Sequence, residues 1–201
     1  MRHAVVLAHP KRTSFCASIA RTCARTLRDL GHTVSVRDLY RMDFDPRLQA
    51  GEIPVYTGYA AADVAAERKR LARIDSFIFV YPFWFNAPPA ILKGYVDRVF
   101  SMGFGYRPMF GGTAPLLEGR TLATFSTSGA PEEWVMDTGA LDNLMAVFDM
   151  HLAAVTGMTF AGHTHLGGVL SSLSEDDARA RLAQVEATLQ ARFGRLSTAK
   201  V

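Results

Sequence analysis

Short apolar runs alternate along the chain with apolar stripes at helical spacing, the pattern of strands that feed crossover helices. Residues 3–9 read as a first strand, and Phe15, Ile19, Cys23, Leu27 and Leu30 then mark one face of a helix that Gly31 closes in a left-handed turn. Residues 33–37 alternate apolar and polar positions, as a half-exposed strand near a sheet edge does. Residues 39–60 form a long connection broken by Gly51, Pro54 and Gly58, and its length predicts a functional or interface segment. A polar helix over 61–73 leads into S-F-I-F-V-Y at 76–81, a continuous apolar run suited to a strand buried on both faces. Pro82 ends that strand and Pro89 takes a first helical position. Ile91, Leu92, Tyr95, Val96, Val99 and Phe100 then recur along one helix face. Residues 101–117 read as irregular and glycine-rich, 120–127 as a strand, 139–150 as a helix and 156–163 as the last strand. Ser174, followed by Glu175, Asp176 and Asp177, caps a final helix with Leu182, Val185, Leu189 and Phe193 as its buried stripe.

Five strands separated by helices predict an α/β fold with a doubly wound parallel sheet in the order 2-1-3-4-5, formed by one domain over residues 1–201. Ligands of such sheets bind beyond the strand carboxyl ends at the switch point, so the chemistry is expected after His9, after Tyr81 and after Thr127.

The 201 residues are 49% hydrophobic and 20% charged, which suits one globular unit with a full core. The net charge of +3 comes from arginines scattered over helices without interleaved aromatics, so solvated faces are expected and no nucleic-acid partner. Met1-Arg2-His3 has the charge but not the length of a secretory leader, and prolines break the apolar region over 77–92, so no stable membrane insertion is expected. Cys16 and Cys23 lie about 10 Å apart along one helix, too far for a mutual disulfide. These features predict a cytoplasmic protein.

The loop after the first strand, H-P-K-R-T-S-F, runs into a helix N-terminus. Its free N–H groups and the Thr13 and Ser14 hydroxyls suit a phosphate, and an ordinary cap at Ser14 explains the same residues. The loop after 76–81 carries Phe83, Trp84 and Phe85; three large rings there either pack into the core, the reading favoured for Trp84 and Phe85 taken alone, or form a wall for a planar ligand. Ser126-Thr127-Ser128-Gly129 is small and hydroxylated, so its backbone can approach a ligand edge. Together they describe a phosphate clamp, a flat wall and an amide-rich edge, the requirements of a flavin mononucleotide-like group. Elsewhere, His163 and His165 read as a strand-end loop rather than a metal pair, so no metal is expected. Cys16 is either a thiol with a lowered pKa or a small buried residue facing the ligand, and Lys93 with Asp97 is a surface pair.

H-P-K-R-T-S-F with its helix, D-L-Y-R-M-D-F-D-P, P-A-I-L-K-G-Y-V-D-R-V-F and the S-T-S-G loop resemble, in order and spacing, the flavodoxin-like NAD(P)H:quinone oxidoreductases. That family includes mammalian DT-diaphorase and the bacterial ancillary reductases of glutathione-gated potassium efflux. The resemblance implies a homodimer with flavin (FMN or FAD) at its interface and hydride passing from NAD(P)H through the flavin to a quinone or similar planar acceptor. By position, His9, Thr13, Ser14, Phe15 and Cys16 match phosphate and ribityl contacts. Pro82, Phe83, Trp84, Phe85 and Asn86 match the wall against the ring, and Ser126, Thr127, Ser128 and Gly129 match the loop at its pyrimidine edge. Departures are Cys16, where asparagine is usual, and Trp134, a possible pocket residue where DT-diaphorase has a tyrosine; the histidine that partners that tyrosine has no counterpart near Ala140. Two rival functions are a flavin-binding regulatory partner of a membrane transporter, suggested by the potassium-efflux relatives, and an electron-carrier flavodoxin, disfavoured by the positive charge.

Overall fold

The computed structural model describes residues 1–53 and 60–194. Five parallel strands form the sheet: β1 (Arg2–Leu7), β2 (Thr33–Asp38), β3 (Ser76–Pro82), β6 (Thr121–Thr127) and β7 (Thr159–Leu166), in the order β2-β1-β3-β6-β7. This is the predicted 2-1-3-4-5 order. Strand β3 sits in the centre with all seven residues buried, which its unbroken apolar run requires. β2, at the edge, keeps the alternating pattern.

Helices cover both faces. α2 (Ala62–Leu71) and α3 (Ala90–Val99) pack on one side with α4 (Glu132–Asp137), α5 (Ala140–Leu144) and α6 (His151–Thr156), over a core that includes Phe77, Phe79, Tyr81 and Phe148. α1 (Phe15–Asp29) and α7 (Glu175–Phe193) pack on the other, over Val5, Ile78, Val80 and Phe125. The Ser14 hydroxyl accepts from the Ala17 N–H at 3.1 Å, Ser174 caps α7 in the same way at 3.0 Å, and Gly31 is left-handed at φ 79°.

Four expectations need correction. Residues 101–117 contain a hairpin, β4 (Tyr106–Met109) and β5 (Gly112–Pro115), whose turn at Phe110-Gly111 uses a glycine at φ 80°. The helix expected over 139–150 runs on through a π-helical turn at Met145–Met150 and ends only at Gly157, which is left-handed at φ 78°. The last strand therefore begins three residues later than expected, at Thr159. Pro89 stands one position earlier than a first helical residue, as the N-cap of α3.

The long connection after β2 packs back onto α3. Arg98 is 3% exposed, and its five N–H groups are shared among the Glu52 carboxylate, the Asp63 carboxylate and the Asp45 carbonyl. Pro54 and Gly58 of that connection lie outside the described residues.

Candidate active site at the strand tips

The carboxyl ends of β1, β3 and β6 meet because the ladder continues past the strands. Ala8 N–H donates to the Val80 carbonyl at 3.0 Å, Phe83 N–H to the Thr127 carbonyl at 2.6 Å, and Ser128 N–H to the Leu166 carbonyl at 3.2 Å. Between these tips lies a cleft of about 130 Å³ lined by His9, Phe15, Cys16, Pro82, Trp84, Thr127, Ser128, Gly129 and Val169. Eight of these nine were singled out from the sequence. Val169 was not: it arrives on the loop after β7, where a bond from its N–H to the Ser128 carbonyl at 2.8 Å fixes it, and no local pattern marks that.

The other expected residues are placed as follows. Thr13 is exposed in the turn just before α1, and Ser14 is committed to capping. Phe83 is buried with its ring 5.5 Å from that of His165. Trp84 to Ala87 closes a tight turn, with Trp84 N–H donating to the Ala87 carbonyl at 3.2 Å and the reverse bond at 3.0 Å. Its two central residues, Phe85 at φ 50° and Asn86 at φ 54°, are both left-handed, the backbone of a type I′ turn. Asparagine tolerates that conformation; phenylalanine there costs roughly 1–2 kcal/mol. Trp84 is 46% exposed and Phe85 fully so, which overturns the expectation of core packing for this pair. Trp134 lies exposed on α4 and does not line the cleft.

Polar groups facing the cleft are set by burial. The His9 Nδ1 accepts the Lys11 N–H at 3.0 Å, so a neutral ring carries its proton on Nε2, and burial lowers its pKa. Its ring lies 5.7 Å from Trp84. Cys16 is 1% exposed; burial pushes its thiol up to about 11, against the pull of the 3.2 Å contact to Thr127 Oγ1. The reading of Cys16 as an activated thiol is thereby replaced by that of a small buried residue. Among the described residues, the N–H groups of Phe15, Phe85, Asn86 and Gly129 have no intrachain backbone acceptor. Phe15 and Gly129 line the cleft, so their donors are left over beside it.

Behind the third loop lies a buried polar chain that the sequence reading missed. Thr124 Oγ1 donates to Asp149 Oδ1 at 2.8 Å, and Asp149 Oδ2 meets His163 Nδ1 at 2.7 Å. His163 Nε2 meets Ser126 Oγ at 2.6 Å, and Ser126 Oγ meets His165 Nδ1 at 2.8 Å. His165 Nε2 meets Ser128 Oγ at 2.9 Å, and Ser128 Oγ donates to the Ala130 carbonyl at 3.0 Å. His163 and His165 thus both stand inside β7, where a strand-end loop was expected. Gly162 is the reason: at φ 104° it forms a bulge that shifts the β6–β7 register between Leu122 and Thr124. Phe160 packs on one core and Ala161 on the other; the extra residue returns both histidines to the Phe160 side, opposite Thr124 and Ser126.

A larger groove of about 430 Å³ lies elsewhere, between α3, the β4–β5 hairpin and α6, lined by Val96, Phe100, Val147, Leu152 and Val155 among others. It contains none of the strand-tip residues, and its apolar walls suit contact with protein surface better than chemistry.

A family model described as flavodoxin-like fold matches residues 1–192. The chain is 36% identical over 132 residues to an uncharacterized NAD(P)H oxidoreductase of Haemophilus influenzae, with 65% of each chain covered. It is 32% identical over 149 residues to NAD(P)H dehydrogenase (quinone) 1 of Rattus norvegicus, covering 64% of this chain and 54% of that one. The aligned region spans less than two thirds of either curated relative. In structure the chain is similar to the NAD(P)H:quinone oxidoreductase from Methanothermobacter marburgensis, with a TM-score of 0.82 and 27% identity over 95% of this chain and 96% of that one. The sheet order, the strand-tip cleft and the match over nearly its whole length agree: the chain belongs to the flavodoxin-like fold family.

Proposed function

We propose that the strand-tip cleft binds a flavin, FMN or FAD, and that the protein is an NAD(P)H-dependent reductase of quinones or similar planar acceptors. The observation that carries the reading is the convergence on one cleft of a helix N-terminus, the exposed Trp84 ring and a glycine-bearing loop with a free N–H. The residues fit the group. The Phe15 N–H and the Thr13 hydroxyl at the start of α1 suit the phosphate. Trp84, with His9 beside it, supplies a flat apolar wall, and Gly129 N–H can donate to the polar edge of the ring. The chemistry such a group supplies is two-electron hydride transfer between a nicotinamide and a planar acceptor.

The chain's own residues would bind, orient and exclude water. The left-handed turn holds the Trp84 and Phe85 rings outward at a cost in strain and in lost burial of Phe85, roughly 2 kcal/mol for the latter. A ring kept exposed at that cost needs something to cover. The enclosed volume of about 130 Å³ is below the roughly 300 Å³ typical of small-molecule sites, so a second copy of the chain supplies the missing wall in this reading. The exposed Phe110, Val147 and Met150 near the larger groove support the same homodimer. Among the described residues no helix is long and apolar enough to cross a membrane, and both described cysteines are free, which supports a cytoplasmic location.

The test is the visible spectrum of the purified protein, with its mass in solution. Flavin absorption that bleaches under anaerobic NAD(P)H, returns on adding a quinone, and accompanies a dimer is expected. A colourless protein that takes up neither FMN nor FAD would overturn the reading.

A further inference from the structure

The buried chain behind Ser128 has five contacts from Asp149 to the Ala130 carbonyl, and each requires one hydrogen. With Asp149 ionised and both imidazoles neutral, His163, Ser126, His165 and Ser128 bring one each, four in all. Ser128 must then divide its single hydrogen between His165 Nε2 and the Ala130 carbonyl. One additional proton satisfies every contact. We propose that Asp149, His163, Ser126, His165 and Ser128 are a one-proton store that opens into the cleft at Ser128 Oγ and supplies the proton consumed when a quinone is reduced there; this rests on the proposed reductase function.

The filled and empty states differ in a definite way. When filled, the extra charge sits on His163 against the Asp149 carboxylate, with both side chains fully buried. Every hydrogen then points outward: His163 Nε2 to Ser126, Ser126 to His165 Nδ1, His165 Nε2 to Ser128, and Ser128 to Ala130. When empty, the three contacts from His163 to Ser128 reverse, and His165 has moved its proton from Nε2 to Nδ1. His165 itself stays neutral throughout, since burial and the charge of His163 lower its pKa to about 4. Few other ionisable groups face the chain. The Tyr81 phenol of β3 has its ring 6.2 Å from that of His163; its hydroxyl has no partner among the described residues, and burial followed by Asp149 keeps it protonated. Arg192 of α7 lies across β7 and bonds Gly162 and Thr164 on the opposite face.

The reaction needs one such proton. NAD(P)H, a quinone and one proton give NAD(P)⁺ and a hydroquinone: two electrons and the first hydrogen travel as hydride, and the second oxygen takes a proton. In the step proposed, that O–H bond forms as the Ser128 O–H breaks. Ser128 is restored from His165 Nε2, His165 Nδ1 from Ser126, and Ser126 from His163 Nε2. The chain loses one positive charge and refills from solvent. Ser128 alone touches the cleft; the other four position and hold the proton.

The test is ¹⁵N NMR of histidine-labelled protein from pH 5 to 9, with and without flavin, so that it does not depend on the cofactor. As His163 loses its proton, the His165 signals should change from the Nε2–H to the Nδ1–H tautomer with the same midpoint. In Ser126→Ala that coupling should vanish while the fold, followed by amide spectra, persists. In protein holding flavin, the same variant should lower quinone turnover about tenfold or more without lowering flavin content. A His165 tautomer that stays fixed while His163 titrates, or coupling that survives Ser126→Ala, would overturn the proton store while leaving the flavin reading intact. Absence of flavin uptake would overturn that reading and the assigned use of the proton, whatever the tautomers do.

Discussion

Arg98 and Asp149 are both charged side chains buried beneath the same face of the sheet, yet the clusters around them are built on different terms. Around Arg98 every guanidinium N–H has an acceptor: two oxygens of Glu52, two of Asp63 and the Asp45 carbonyl. That cluster ties the connection after β2 to α3, and no alternative arrangement of its hydrogens satisfies it as well. Around Asp149 the hydrogens can run in either direction, and the far end reaches the strand-tip cleft. A saturated cluster braces the fold, whereas one with a free place for a proton can take part in chemistry. Their places differ in the same sense: the first lies away from the strand tips and the second ends on them.

Breaking the brace should have the largest effect on stability. Arg98→Met leaves Glu52 buried without its partner and should cost roughly 3–5 kcal/mol, read from urea unfolding, while the folded fraction keeps its ligand affinity. Gly162→Ala should come next, at roughly 2 kcal/mol, because the position is left-handed and the new methyl would stand 2.9 Å from Arg192 Nη2. It should also disturb the facing of both histidines, visible as altered histidine NMR signals. If it were neutral in both respects, the role given to the bulge would be wrong.

Acid should act on the open chain through His165. Its folded pKa of about 4 lies below the ordinary 6.5, so the neutral form is favoured by folding. Its contribution to stability is complete above pH 6.5 and is lost as the pH falls toward 4. His3, also lowered to about 4, mainly by burial, acts in the same window from the opposite end of β1. Unfolding midpoints measured across that window should fall less steeply in His165→Gln. The smallest effect should come from Phe85→Asn, which relieves a left-handed phenylalanine and should stabilise by about 1 kcal/mol, while weakening flavin or acceptor binding. Higher melting temperature with unchanged binding would deny the exposed ring its function.

The sheet order and most of the cleft were legible because each rests on local pattern. The 76–81 run marked the central strand, and the odd composition of three loops fell at the switch point that the topology predicts. What was missed depends on register and distant pairing. His163 and His165 looked like the end of a strand because the helix before them was read as ending at Met150; the π-turn carries it on to Thr156. Asp149 lies in that turn and gives no signal of pairing with a histidine fourteen residues away. Trp84 and Phe85 looked like core because large rings usually are, and only the left-handed turn turns them outward.

The central claim is that the space among the tips of β1, β3 and β6 is where a flavin binds. Equilibrium dialysis of FMN and FAD against the wild-type chain and Gly129→Val tests it most directly, since Gly129 lines the cleft and a side chain there would crowd the loop after β7, its new carbon 3.2 Å from Leu170. One flavin bound per wild-type chain, and at least a hundredfold weaker binding in a variant with an unchanged melting temperature, is the result the account predicts. Equal binding by both proteins would contradict it.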